Sequence, residues 1–168
     1  MLFFRHEHTR YAFSGQGCRN GKPGSIKGSF IQKEIFIMRY IKVFAPGTVA
    51  NLGCGFDVMG LTLDGVGDLL EVGIEEGAGE LVIRNRSGKE LPAKNEDNVI
   101  TPAVMTLLGA YGKPVRVEVT ILEKIAPGSG IGSSAASSAA AVWGVNELLG
   151  RPFSGERLVE FAMMGEAL

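Results

Sequence analysis

The clearest hydrophobic pattern in the chain is the alternation of apolar and polar residues in VRVEVTIL, residues 115–122. A period of two is typical of a half-buried β-strand. The buried face of this strand would carry Val115, Val117, Val119 and Ile121. A shorter strand is predicted at YIKVFA (40–45). Residues 69–76 and 80–85 are also strand-like, and the glycines between them predict a β-hairpin.

Three helices are predicted from the spacing of apolar residues and from the residues that flank them. The first covers 99–112, where Asn98 is a candidate cap and Gly112 ends the helix. The second covers 133–149, and the third begins at Ser154 and runs towards the end of the sequence. Strands followed by helices interleaved with strands predict an α+β fold.

Residues 1–37 differ in composition from the rest of the chain. They carry six Lys or Arg and two acidic residues, against 11 basic and 16 acidic residues afterwards. The stretch GQGCRNGKPGSIKGS has little to bury, so we predict a basic, disordered N-terminal extension. A transit peptide is one interpretation, and a secretory signal is not, because there is no apolar core segment. The interpretation we favour makes Met38 the natural start and 38–168 the domain.

Charge and cysteine content restrict the class of partner and the compartment. The net charge is −1, and no apolar run approaches the roughly 20 residues of a membrane span. We therefore expect neither nucleic acid nor a membrane as partner. Two cysteines, Cys18 and Cys54, make no disulfide framework, so a cytoplasmic location is expected. The histidines, His6 and His8, lie near the N-terminus, which leaves carboxylates, hydroxyls, amides, Lys and Arg for any chemistry.

Glycines alternate with other residues in the loop between the strand at 115–122 and the second helix. A helix start exposes unpaired N–H groups and a partial positive charge. Alternate glycines let further N–H groups turn towards an anion. The pattern predicts a phosphate-binding loop formed by Pro127, Gly128, Ser129, Gly130, Ile131, Gly132, Ser133 and Ser134. The alternative is a tight turn followed by a small-residue helix packed on the sheet.

Two common nucleotide motifs do not fit this loop. A Walker A loop requires Lys after its last glycine, and no Lys follows Gly132. The dinucleotide fingerprint requires a third glycine where Ser133 stands.

Two segments together resemble the GHMP kinases, the superfamily of galactokinase, homoserine kinase, mevalonate kinase and phosphomevalonate kinase. PGSGIGSSAAS (127–137) resembles their phosphate loop. ANLGCGFD (50–57) resembles the first motif of the homoserine kinase branch, which usually has Pro in place of Cys54. The resemblance runs from about Met38 to Leu168. It implies an incomplete N-terminal domain of the GHMP kinase fold (ribosomal protein S5 domain 2-like), with the C-terminal domain absent.

The resemblance also implies roles for individual residues. Ser134 and Glu166, the latter in MGEAL (164–168), would bind Mg²⁺. Asn51 and Asp57 would contact L-homoserine, and Asp57, Ser134 and Glu166 would be the catalytic residues. The implied reaction is ATP-dependent phosphorylation of the L-homoserine side-chain hydroxyl in threonine biosynthesis. The expected partners are therefore ATP and L-homoserine, and the sequence leaves homodimer formation open.

Each of these residues also has a structural interpretation. Asn51 and Asp57 would then only shape the glycine turn between them. Ser134 would be a hydroxyl at a helix start, and Glu166 a solvated helix residue. Asn98 is either a helix cap or a contact to the nucleotide base. Two strand-end lysines are interpreted as solvated and left out of the site: Lys42 and Lys124.

Two other functions stay open at this point. One is a GHMP kinase for another small alcohol, of the mevalonate, galactose or shikimate type. The other is a catalytically inactive nucleotide-binding or structural fragment. For the 168-residue chain itself we expect negligible kinase activity, because a missing second domain would leave the active-site cleft half built.

Overall fold

The computed structural model describes residues 3–11, 37–77, 79–92 and 94–166, with the backbone alone at 3–11, 37 and 57. The elements run in the order β1 (Phe3–Tyr11), β2 (Ile37–Leu52), β3 (Gly55–Glu76), β4 (Leu81–Asn85), α1 (Ile100–Tyr111), β5 (Val115–Glu123), α2 (Ser133–Leu148) and α3 (Gly155–Met163). Short 3₁₀ turns lie at Asn95–Asp97 and Met164–Glu166. The predicted α+β class is confirmed.

The strands form one sheet in the order β1-β2-β3-β5-β4. Neighbouring strands are antiparallel except β4 and β5, which run parallel. The hairpin predicted from residues 69–76 and 80–85 is therefore wrong, because β5 lies between those two strands. The physical reason is burial: most of β5 is buried, whereas β4 is half-buried or exposed and suits a sheet edge.

The N-terminal segment also differs from its prediction over part of its length. Phe3–Tyr11 pairs antiparallel with β2, from Phe3 opposite Phe44 to Tyr11 opposite Ile37. Without β1, the backbone N–H and C=O groups along this side of β2 would lack strand partners, and such an edge readily accepts another strand. Residues 12–36 of the predicted disordered extension lie outside the described residues.

The β2–β3 hairpin is much longer than the predicted strand at 40–45. Its tip is the turn at Gly53 and Cys54, where Leu52 pairs with Gly55. Register shifts at Pro46/Thr48 and Ala50/Leu52 carry the pairing past residues that interrupt a regular strand pattern. The outer part of this hairpin exposes large apolar side chains: Phe56, Val58, Met59, Leu61 and Val66.

The core lies between the sheet and the three helices. Helix α2 packs on β2 and β3, and both α1 and α3 pack against α2. The apolar face predicted for β5 is buried, as are Leu158 and Phe161 of α3. The boundaries of α1 and α2 and the start of α3 are also confirmed within one residue, with Gly112 in a left-handed conformation after α1 and Ser154 at the N-cap of α3. The third helix is predicted to run on towards the end of the sequence, but it ends at Met163, and the 3₁₀ turn begins at Met164.

The approach of α2 to the sheet is close because its residues are small. A Cβ added at Gly144 would lie 2.8 Å from Val72 Cγ2 and 3.2 Å from Val43 Cγ2. These neighbours are branched side chains in a packed core, and they have little room to move. Gly144 thus sets the distance between α2 and the strands β2 and β3.

We expect Gly144→Ala to lower the free energy of unfolding by about 1–3 kcal/mol through overpacking. This loss should occur although alanine favours helix by about 1 kcal/mol over glycine. The matched control is Gly109→Ala in α1, where an added Cβ meets nothing within 4 Å. That control should stabilise the protein, and urea unfolding of both variants measures the difference. Equal stabilisation by the two substitutions would contradict the close packing of α2.

Candidate functional site

The loop between β5 and α2, residues 126–132, is named the glycine loop. Its three glycines have φ angles of 75° at Gly128, 74° at Gly130 and 72° at Gly132. Added side chains at Gly128 and Gly130 would meet open space, so glycine is favoured there by backbone conformation. At Gly132 a Cβ would also lie 2.4 Å from Thr48 Oγ1. The alternating pattern in the sequence therefore corresponds to an alternating left-handed backbone.

The glycine loop and the start of α2 form one wall of a cavity of about 470 Å³. The opposite wall comes from residues 90–92 and 97–99, which precede α1. The lining includes every residue of the predicted phosphate loop except Ile131, and it includes Asn98. Two carboxylates that are not among the predicted site residues also line it: Glu90 and Asp97.

The start of α2 faces this cavity without a side-chain cap. Gly132 occupies its N-cap position, and no side chain there accepts a bond from the first turn. By contrast, the Asn98 side chain accepts from Ile100 N at the start of α1, at 3.1 Å. The Ser154 side chain accepts a bond at the start of α3. The first-turn N–H groups of α2 are thus left to an external acceptor, which favours an anion.

The two serines at the start of α2 are used differently. The Ser133 hydroxyl donates to the carbonyl of Ile125 at 3.0 Å, which closes the glycine loop at its base. Ser134 is half-buried and lines the cavity, and its hydroxyl makes no hydrogen bond within the described residues. Of the two hydroxyls, that of Ser134 is the one available to a ligand.

A buried ion pair lies beneath the glycine loop. Lys124 Nζ donates to Asp68 Oδ2 at 2.8 Å, and the exposed fractions of the two side chains are 5% and 0%. The same ammonium donates to the carbonyl of Ser133 at 2.6 Å and to Ser137 Oγ at 2.8 Å. The interpretation of Lys124 as a solvated lysine is therefore wrong. The sequence reasoning missed this because the partner, Asp68, lies on a different strand, 56 residues away.

The β2–β3 hairpin contacts the glycine loop at its base. The Thr48 N–H donates to the carbonyl of Ile131 at 2.9 Å. Asn51 follows three residues later, so it lies within about 10 Å of this contact along an extended strand. It is exposed near the hairpin tip, with a φ of 61°. The side chain of Asp57 lies outside the described residues.

Glu166 lies in the 3₁₀ turn after α3 and does not line the 470 Å³ cavity. It lines an apolar groove of about 360 Å³ between α2 and α3, together with Ala135, next in sequence to Ser134. The turn lies close to α2, since a Cβ added at Gly165 would be only 2.3 Å from Ser138 Oγ. The structure thus places the two predicted magnesium ligands in neighbouring hollows rather than in one site. Nor does the described part of the chain contain a cluster of three His, Cys, Asp or Glu side chains that could hold a metal.

Comparison with known proteins identifies a family and several relatives. Residues 98–168 match the family model described as GHMP kinases N terminal domain. The chain is 44% identical over 131 residues to a homoserine kinase of Methanocella arvoryzae, covering 77% of this chain. It is 33% identical over 131 residues to that of Methanococcus maripaludis, covering 78% of this chain. Residues 98–168 thus belong to the GHMP kinase N-terminal domain family.

A solved GHMP kinase structure, a homoserine kinase from Cytophaga hutchinsonii, superposes with a TM-score of 0.69 at 35% identity. The match covers 84% of this chain and 44% of that one. The chain likewise covers 41% and 44% of the two curated relatives, so it spans less than half of their length. No described helix is long and apolar enough to cross a membrane.

We expect Lys124→Met to lower the free energy of unfolding by about 3–5 kcal/mol, because Asp68 is then a buried charge without its partner. The double variant with Asp68→Asn should recover much of this loss, since neither buried charge remains. Chemical denaturation measures both. The control is Arg84→Met, which breaks an ion pair whose arginine is 58% exposed and should cost about 1 kcal/mol or less. A Lys124→Met variant as stable as this control would contradict the burial of the pair.

Proposed function

We propose that this GHMP kinase domain binds the phosphates of Mg·ATP on the glycine loop and serves a homoserine kinase. The observation that carries the proposal is the uncapped start of α2, which follows three left-handed glycines and faces the cavity. Amide groups in this arrangement are suited to the oxygens of a phosphate chain. The homoserine kinase relatives support the choice of acceptor.

The reaction would transfer the γ-phosphoryl group of ATP to the side-chain hydroxyl of L-homoserine, the step expected in threonine biosynthesis. The hydroxyl oxygen forms a bond to the γ-phosphorus, the bond from that phosphorus to the β–γ bridging oxygen breaks, and ADP leaves. The hydroxyl proton passes to a phosphate oxygen or to solvent. Because the transition state of such transfers is loose in most analyses, positioning and charge stabilisation carry most of the catalysis.

One hydroxyl at the cavity suits a magnesium ion that arrives with the nucleotide. Mg²⁺ commonly takes only one or two protein oxygens, with phosphate and water completing its shell. The free hydroxyl of Ser134 at the cavity is one such oxygen. Glu166 is the carboxylate we assign to the ion, although the two residues line neighbouring hollows. The ion would neutralise charge on the phosphate oxygens.

The acceptor would bind beside the outer part of the β2–β3 hairpin. The bond from Thr48 to Ile131 lies two residues before the ANLGCGFD segment, so this motif and the glycine loop are neighbours in space. We assign Asn51 to a hydrogen bond with the homoserine. Asp57 is assigned to its ammonium group or its hydroxyl, and both assignments rest on the family motif.

We expect titration with Mg·ATP to shift the backbone amide resonances between Pro127 and Ser134 in an NMR spectrum. Mg·AMP is the control, because it lacks the β- and γ-phosphates and should leave those amides nearly unmoved. Amides on β4, away from the cavity, should move with neither nucleotide. Equal shifts with Mg·ATP and Mg·AMP would contradict phosphate binding on the loop.

We expect the 168-residue chain to show negligible kinase activity, because it spans less than half the length of its homoserine kinase relatives and would leave the active-site cleft half built. A chain extended to the length of those relatives should phosphorylate L-homoserine. A panel of homoserine, mevalonate, galactose and shikimate, followed by ADP release, measures the preference. Turnover of the short chain near that of the extended one would contradict the need for the second half. Preference for another alcohol would overturn the assigned acceptor but leave the phosphate loop intact.

A further inference from the structure

We infer that Asp68, which does not line the nucleotide cavity, is a positioning residue that holds the glycine loop ready for phosphates. The inference rests on the proposed kinase function for its ligand. Its structural basis is separate, because it concerns how the loop is held before any nucleotide binds.

Asp68 joins the two ends of the glycine loop through one carboxylate. Its Oδ1 accepts from the Ile125 N–H at 2.8 Å, just before the loop. Its Oδ2 accepts from Ser137 Oγ at 2.5 Å, in the second turn of α2 just after the loop. The entry and the exit of the loop are thereby fixed at a single point on β3.

Lys124 adds a further connection and balances the charge of Asp68. Asp68, Lys124 and Ser137 are together named the clamp. The Lys124 ammonium group bonds both Asp68 Oδ2 and the carbonyl of Ser133, so it adds a second connection to the first turn of α2. A buried carboxylate next to a phosphate site would repel the ligand if it were unpaired. Lys124 also lines the cavity, but its three ammonium N–H groups have acceptors in Asp68, Ser133 and Ser137. Its charge therefore serves to neutralise Asp68 rather than to contact phosphate.

The loop needs such fastening because of its glycines. Glycine loses more conformational freedom on ordering than other residues do. A loop that is ordered in advance avoids part of that cost when the ligand binds. Loosening the clamp should therefore weaken phosphate binding even though Asp68 never touches the ligand.

The test compares Asp68→Asn and Ser137→Ala with the control Asn146→Ala. Asn146 is also a buried polar residue on α2, and it holds the loop that follows this helix. Its Oδ1 accepts from the Phe153 N–H at 3.1 Å, and its Nδ2 donates to the Phe153 carbonyl at 3.3 Å. All three substitutions remove buried hydrogen bonds, so all three should lower the melting temperature. Ser137→Ala removes a single hydroxyl and keeps the test valid if Asp68→Asn fails to fold.

Two readouts separate positioning from general stability. Amide hydrogen exchange without nucleotide should rise about tenfold or more from Ile125 to Ser134 in both clamp variants, the effect of losing one buried hydrogen bond. The dissociation constant for Mg·ATP should rise by a similar factor. In the Asn146→Ala control, the exchange rate of the loop and the dissociation constant for Mg·ATP should stay within about twofold of those of the unsubstituted chain. The reason is that substitutions at distant sites act independently.

The outcomes distinguish this inference from the proposed function. If clamp and control variants raise loop exchange equally, the role of Asp68 is only structural and the inference is overturned. If the clamp variants loosen the loop but leave Mg·ATP affinity unchanged, positioning for phosphates is overturned. If the unsubstituted chain fails to bind Mg·ATP while exchange responds as expected, the kinase proposal fails and the clamp remains.

Discussion

The buried pair of Asp68 and Lys124 is the interaction on which the site depends. The glycine loop has a left-handed residue at every second position, and such a backbone does not hold its shape through a regular hydrogen-bond ladder. The Asp68 carboxylate accepts a hydrogen bond at the start of the loop, and the Lys124 ammonium group and the Ser133 hydroxyl donate two more. These bonds fix the base of the loop between β3, the end of β5 and α2. Both charges are almost wholly buried, so the cost of desolvating each is offset only while the other is present.

Helix α2 joins the core to the site. Its small residues allow it to lie close to β2 and β3, as the contacts around Gly144 indicate. The same closeness brings the N-terminal part of α2 against β3, where the Ser137 hydroxyl in the second turn donates to Asp68. Because its N-cap is a glycine without a side-chain acceptor, the N-terminal end of the helix stays open towards the cavity. Packing and anion binding are thus two consequences of one small-residue sequence.

Apolar surface is concentrated in two places away from the cavity. One is the outer β2–β3 hairpin, where Val58 is 82% exposed, and the other is the groove between α2 and α3, where Met163 is 64% exposed. Exposed apolar surface of this extent is typical of regions that pack against other parts of a protein. The chain spans less than half the length of its relatives, and these surfaces fit that fact.

The sequence by itself determined the fold class, the ends of α1 and α2, the start of α3, the buried face of β5 and the glycine pattern of the loop. These features depend on local periodicity and on backbone preferences that a short window of residues already contains. Only the tertiary structure decided that β5 separates β3 from β4, that β2 meets the glycine loop at Thr48, and that Lys124 is buried against Asp68. Strand order and charge pairing join residues that are distant along the chain, and local patterns carry no information about which distant groups will meet.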